Sequence, residues 1–414
     1  MIKQRRIGYW LLTGLMAIAL QFFWMSGANS AVTDYLQEQK YLTNVWQIVN
    51  RSYVDENFNN QNWYKVRRKF VNRKFNSRED TYQSIREMLA TLDDPFTRLL
   101  EPDKFKSMQT STSGALTGVG LQIAVDEPDN YVTVISPVEG SPAEIAGVRS
   151  RDRIISIDNI PTKGLSLDEC ATRMRGAIGS EVKLSLERPL INGKGFEKLD
   201  VVIKRDRIAV NPIMAKINQE QNHKVGYIRL NQFNGNASSD MAKTLKKFKS
   251  EGADRYVLDL RGNPGGLFDA GLQIARMWIP QGTVVYTVDR HGIQESFAAV
   301  GDAIVNDPLV VLTDGGTASA SEILAGALQE NNRAQLVGTK TYGKGLIQSL
   351  YELEDGAGLA VTIAKYETPL HHNIHKRGII PNVEVALTEP ITRKQLGTNE
   401  DPQYVAALSI LSAS

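Results

Sequence analysis

Leu309-Val310-Val311-Leu312-Thr313-Asp314-Gly315-Gly316-Thr317-Ala318-Ser319-Ala320-Ser321-Glu322 is an apolar run, a turn of small residues and the opening of a helix. Four apolar residues bounded by turn signals read as a buried strand, and Ser319-Ala320-Ser321-Glu322 has the spacing of a helix start, predicting a helix to Asn331. The same grammar recurs upstream: a strand at Val225 to Leu230, a helix from Ser238 to about Lys249, a strand at Tyr256 to Leu260 and a helix from Leu267 to Ile279. Strand-helix repeats predict βα units, with functional groups on the loops that follow the strands, here after Leu260 and after Leu312.

Between Gly114 and about Arg205 the texture changes. Short alternating runs at Val132 to Ile135 and Ile154 to Ile157, with turn signals at Pro128-Asp129-Asn130 and Asp158-Asn159, predict a compact β-rich module. One helix inside it is announced by the capping box Ser166-Leu167-Asp168-Glu169 and should stop near Gly176 to Gly179. Cys170 falls in that helix and reads as a small buried hydrophobe. Ahead of the module, Tyr82, Ile85, Leu89 and Leu92 recur at helical spacing behind a Ser77 cap, until Asp93-Asp94-Pro95 ends the run. The expected organisation is a leader over 1–30, a helical region over 31–112, the β-rich module over 113–205 and the βα core over 206–414, an α+β and α/β multidomain chain.

The leader has Lys3, Arg5 and Arg6 before an uncharged apolar run from Ile7 to Met25, then the small residues of Ser26-Gly27-Ala28-Asn29-Ser30-Ala31. This is the pattern of an export signal, or of a membrane anchor if it is not cut, with the body outside the cytoplasm. In the whole chain 48 Lys+Arg against 46 Asp+Glu leave +2, and neither sign forms long blocks, which argues against nucleic-acid binding. The single cysteine excludes an intramolecular disulfide framework and any C-x-x-C pair.

A hydroxyl at the first turn of a helix lies beside free amides and the positive dipole end, which can steady a developing oxyanion, so Ser319 is a candidate nucleophile. It reads equally as a helix cap. A serine nucleophile needs a base, and Lys344, in Thr341-Tyr342-Gly343-Lys344-Gly345, is flanked by glycines that allow close approach. To accept a proton it must be neutral, hence desolvated. Gln348, four residues on, could position the amine. The histidines at 371, 372 and 375 lack the H-E-x-x-H pattern, and the glycine-rich loops lack nucleotide-binding fingerprints, so neither metal nor cofactor is expected.

These residues carry two resemblances. Gly118-Val119-Gly120-Leu121, with Ser141-Pro142-Ala143-Glu144-Ile145-Ala146-Gly147-Val148 and Asp152-Arg153-Ile154-Ile155-Ser156-Ile157-Asp158, is similar to the PDZ family. That likeness implies capture of a peptide's terminal carboxylate by the amides of 118–121, with Arg175 beside the groove as a sensor of occupancy. Ser319, Lys344, Gln348 and the loop Asp259-Leu260-Arg261-Gly262-Asn263-Pro264-Gly265-Gly266 resemble the serine-lysine carboxyl-terminal processing peptidases. By this resemblance Ser319 is the nucleophile, Lys344 the general base, Gln348 its orienting partner and Gly265 and Ala320 the oxyanion-hole donors, with Glu330 a supporting acid.

Leu89-Ala90-Thr91-Leu92-Asp93-Asp94-Pro95-Phe96-Thr97-Arg98 and Gly114 to Leu121 are similar to the photosynthetic branch, which trims the photosystem II reaction-centre precursor in the thylakoid lumen. The resemblance implies a serine endopeptidase without cofactors, a monomer acting on protein or peptide tails in the thylakoid lumen or periplasm. The alternatives are a general periplasmic tail-specific protease, a non-catalytic PDZ scaffold and an acyl-thioester enzyme that uses the same paired amides.

Overall fold

The computed structural model describes residues 35–413, apart from 127–130, 139, 191–194, 210, 293, 388 and 390. The export-signal reading of 1–30 lies outside the described residues. Among those described, no helix is long and apolar enough to cross a membrane. The chain forms two compact units, one from residues up to Phe105 with Thr287–Glu295 and Leu346–Tyr366, the other from Lys106–Tyr286, Ser296–Gly345 and Glu367 onward.

In the first unit a helix over 35–52 precedes helices Trp63–Val71 and Arg78–Ala90. The stripe Ile85, Met88, Leu89 and Leu92 is buried with Trp46, Trp63, Leu359 and Val361 in one apolar core, and Ser77 caps its helix by accepting from the Asp80 amide. This region is not purely helical. Strand Arg98–Leu100 pairs antiparallel with Gly358–Glu367, as does Leu346–Glu352, with a bulge between Ile347 and Gln348. A three-residue strand is too short to show a period of two, which is why sequence pattern misses it.

The second unit contains the β-rich module and the βα core. In the module, strands Leu121–Asp126, Tyr131–Pro137, Arg153–Ile157, Glu181–Pro189 and Phe196–Lys204 follow one another in an antiparallel sheet. Helix Leu167–Met174 closes it, with the Ser166–Glu169 capping box formed and Cys170 fully buried. The core sheet runs Ile213–Glu220, His223–Leu230, Arg255–Asp259, Leu309–Thr313, Gln335–Gly338, Val383–Glu384, parallel except for its first strand. Leu309–Thr313 is buried along its whole length, as a central parallel strand requires. Helices Ala237–Ser250, Phe268–Trp278 and Ala320–Glu330 follow successive strands, so the loops at 260–267 and 314–319 both leave carboxyl ends of neighbouring strands.

Candidate active site

Two loops build the site in the second unit and are stitched together by main-chain and hydroxyl contacts. The Thr317 hydroxyl donates to the Leu260 carbonyl at 2.9 Å, and the Ala318 amide and the Ser321 hydroxyl both donate to the Asn263 carbonyl at 3.0 Å. At the end of the second loop stands Ser319, half-buried, with φ 56° and ψ −118°. Ser77, Ser141 and Ser166, which cap other helices, are all extended, with φ of −157°, −76° and −70°. Ser319 closes a capping box with Glu322 yet departs from their backbone geometry, and a residue held in so sparse a region costs about 1–3 kcal/mol that its surroundings must supply. Such a turn sets a side chain at the mouth of a strand-to-helix junction, as in hydrolase nucleophile elbows.

The surroundings are supplied by Glu322, which is fully buried. Its carboxylate accepts from the Ser319 amide at 2.9 Å, the Lys344 amide at 2.9 Å, the Gly343 amide at 2.7 Å and the Thr341 hydroxyl at 2.5 Å. An ionised carboxylate offers about four acceptor positions, and four donors fill them here. One side chain thereby fixes both the strained turn at Ser319 and the loop that carries Lys344. The Tyr342 amide adds a bond to the Thr317 carbonyl at 3.0 Å. From sequence Glu322 reads only as a capping-box partner, since its link to 341–344 is not local.

Gly265 lies directly against this turn: a Cβ there would sit 2.6 Å from the Ala318 oxygen and 2.9 Å from the Ala320 nitrogen, and its φ is +92°. Only glycine meets both demands. Its amide donates to Asn263 Oδ1 at 2.9 Å in this structure. Ala320 occupies the first helical position, where the amide has no acceptor within the helix.

Asp259 and Arg261 anchor the first loop from below. Arg261 forms ion pairs with Asp259 at 2.6 Å and with Asp401, the cap of helix Pro402–Ser412, at 2.7 Å, all three almost or wholly buried. Burial pushes the Asp259 carboxyl up, but the guanidiniums of Arg261 and Arg229 and the Tyr227 hydroxyl outweigh it and hold it below the usual carboxylate range.

Glu330 does not join the site. It sits at the far end of the helix from Ser319, where its carboxylate accepts from the Thr368 hydroxyl and the Leu370 amide and pairs with His372 at 2.8 Å. Eleven residues of helix put it roughly 16 Å away. The histidine stretch is scaffolding. His371 stacks on Tyr286, and the turn 374–378 packs against the lysine loop, with the Lys376 amide donating to the Gly343 carbonyl at 2.8 Å. Among the described residues no group of three or more His, Cys, Asp or Glu side chains could hold a metal ion. Gln348 belongs to the first unit, where its Nε2 donates to the Thr362 hydroxyl at 3.4 Å.

In the module, Gly118, Val119, Gly120 and Leu121 line a cavity of ≈ 690 Å³ with Ala171, Met174 and Arg175 of the helix side and Ile208. Arg175 is exposed. Gly120 has φ +80°, and a Cβ there would collide with Ser141, whose hydroxyl donates to the Gly120 carbonyl. The cavity runs beside strand Leu121–Asp126, the edge of the sheet, where an extended peptide can add as a strand.

Comparison with known proteins agrees with this geometry. Residues 224–385 match the model of peptidase family S41, and residues 133–188 match a PDZ domain. The chain is 52% identical over 402 residues to a carboxyl-terminal-processing protease of Picosynechococcus, covering 97% of this chain and 96% of that one. It is 51% identical over 388 residues to the protease of the same description from Synechocystis, covering 93% and 90%. A solved photosystem II D1 C-terminal processing protease superposes with a TM-score of 0.57 at 37% identity, over 89% of this chain and 99% of that one. The chain belongs to peptidase family S41 and is a serine-type carboxyl-terminal processing peptidase with a PDZ domain.

Proposed function

We propose that Ser319 attacks a peptide bond near the carboxyl end of a protein, with Lys344 as general base. The observation that carries this assignment is the single carboxylate of Glu322, which binds the main chain of both residues. Lys344, half-buried, takes the hydroxyl proton as a neutral amine and returns it to the leaving amine, after which water repeats the cycle on the acyl-enzyme. Gln348 orients the lysine amine. The Ala320 amide, at the positive end of its helix, stabilises the tetrahedral oxyanion. Gly265 contributes the second donor once its amide leaves Asn263.

The substrate's terminal carboxylate docks on the amides of 118–121 in the module, an extended tail lies along strand Leu121–Asp126, and Arg175 senses occupancy. Tethering a tail raises the effective concentration of its scissile bond without strict sequence reading. The relative of known structure is described as processing photosystem II D1. For this chain the same substrate, the D1 precursor's carboxyl-terminal extension, is the expected one, met as an exported monomer in the thylakoid lumen or periplasm.

The test is cleavage of a peptide copying that extension, with a free or an amidated end, by wild type, Ser319→Ala and Lys344→Ala. Both variants should lose at least about 1,000-fold in kcat, and amidation should raise KM. Cleavage that survives Lys344→Ala would remove lysine as the base. Equal cleavage of both peptides would remove carboxylate capture, and preference for unrelated apolar tails over the D1 peptide would favour a general tail protease.

A further inference from the structure

The run Asp93-Asp94-Pro95-Phe96-Thr97, which ends a helix, also organises a polar chain inside the first unit. Asp94 Oδ2 accepts from two hydroxyls at 2.7 Å each, those of Thr97 and Thr362, while its Oδ1 accepts from the Phe96 amide at 2.9 Å. The Thr97 oxygen in turn accepts from the Thr362 amide at 3.0 Å. Thr362 lies directly across the strand pair from Gln348, at the bulge that follows Ile347. Bulges re-aim the side chain at which they occur.

The proton directions in this chain follow from the donor inventory. An ionised carboxylate only accepts, so the Thr362 hydroxyl spends its one proton on Asp94 and faces Gln348 with lone pairs alone. Those lone pairs take an N–H of the Gln348 amide, which orders the amide with Nε2 toward Thr362 and Oε1 away from it. Turning the amide over would set two acceptors against each other. Thr362 is 1% exposed and Thr97 3%, so water does not compete for these groups.

We propose that Asp94 and Thr362 are positioning residues for catalysis, fixing the orientation of the Gln348 amide so that it presents an acceptor oxygen. This rests on the reading of Gln348 as the partner that orients Lys344. An ammonium or amine carries donors, so a fixed acceptor is the end of the amide that can aim it. Neither Asp94 nor Thr362 touches the reacting atoms in this scheme.

The test uses the full chain and a fluorogenic peptide with a free carboxyl end, comparing Thr362→Val, Thr362→Ser, Asp94→Asn, Gln348→Ala and the double variant Thr362→Val/Gln348→Ala. Each is first checked for an unchanged melting profile. Thr362→Val keeps the volume and removes the hydroxyl; it should lower kcat about tenfold with KM unchanged, a fraction of what a general base contributes. Thr362→Ser should restore wild-type kcat, Asp94→Asn should act like Thr362→Val, and the double variant should be no worse than Gln348→Ala alone.

Wild-type kcat in Thr362→Val, with Gln348→Ala impaired, would overturn the positioning chain and leave the role of Gln348 standing. Additive losses in the double variant would overturn it too. Wild-type kcat in Gln348→Ala would remove the underlying reading and the proposal with it.

Discussion

At the scale of single residues the site turns on Glu322. Its carboxylate accepts four hydrogen bonds in a position without solvent, so Glu322→Gln sets an NH2 group against donors that were satisfied. Each buried donor left unmet costs about 1–3 kcal/mol. The variant should melt at a lower temperature and lose at least about 100-fold in kcat, with KM for a tail peptide little changed because the groove of the module is untouched. Retained kcat in a destabilised protein would separate folding from catalysis and show that the Ser319 turn holds without its clamp. Ser319 and Lys344 stand out in the sequence as loop residues between clear elements, but spacing alone leaves a helix cap and a solvated lysine as equal readings, and the roles of nucleophile and base come from the resemblance to the serine-lysine peptidases. Glu322 was legible only by half, as the reach-back to the Ser319 amide, because local spacing carries no information about which later loop returns to the same carboxylate.

At the scale of elements, the loop after Arg255–Asp259 is braced by the buried cluster of Asp259, Arg261, Arg229 and Asp401. Removing one member of such a cluster leaves an uncompensated buried charge, so Asp259→Asn should cost about 3–5 kcal/mol. Asp259 has its folded-state pKa depressed, so its contribution is complete above the unfolded carboxylate value, about 3.9, and is lost as pH falls through the lower folded value. The gap in melting temperature between wild type and Asp259→Asn should therefore be constant at neutral pH and close in strong acid. A gap that closes instead near pH 6 to 7 would mean that a different group titrates. The βα core and the module were readable because their strands and helices are long enough to show a period. The hairpin of Leu346–Glu352 with Gly358–Glu367 was not, since its pattern is mixed and its partner strand Arg98–Leu100 lies far away in sequence.

At the scale of the whole molecule, the first unit is assembled from separated stretches of chain. Its apolar core unites Trp46, Trp63, Ile85 and Met88 with Leu353, Ala357, Leu359 and Val361. A fragment spanning residues 35–105 lacks the second group and its strand partner, and should show weak helicity without a cooperative melt in circular dichroism. A sharp transition would mean that the helices form an independent domain. Thr97 and Thr362, which share a hydrogen bond, are 265 residues apart. At a synthesis rate of about 5–20 residues per second, the earlier part waits roughly 13–50 seconds for its partner. Until residues 346–366 have been made, the apolar faces of the early helices and the Thr97 hydroxyl lack their late partners, so the opening stretch of the first unit is the part of the molecule that most needs shelter while the rest is synthesised.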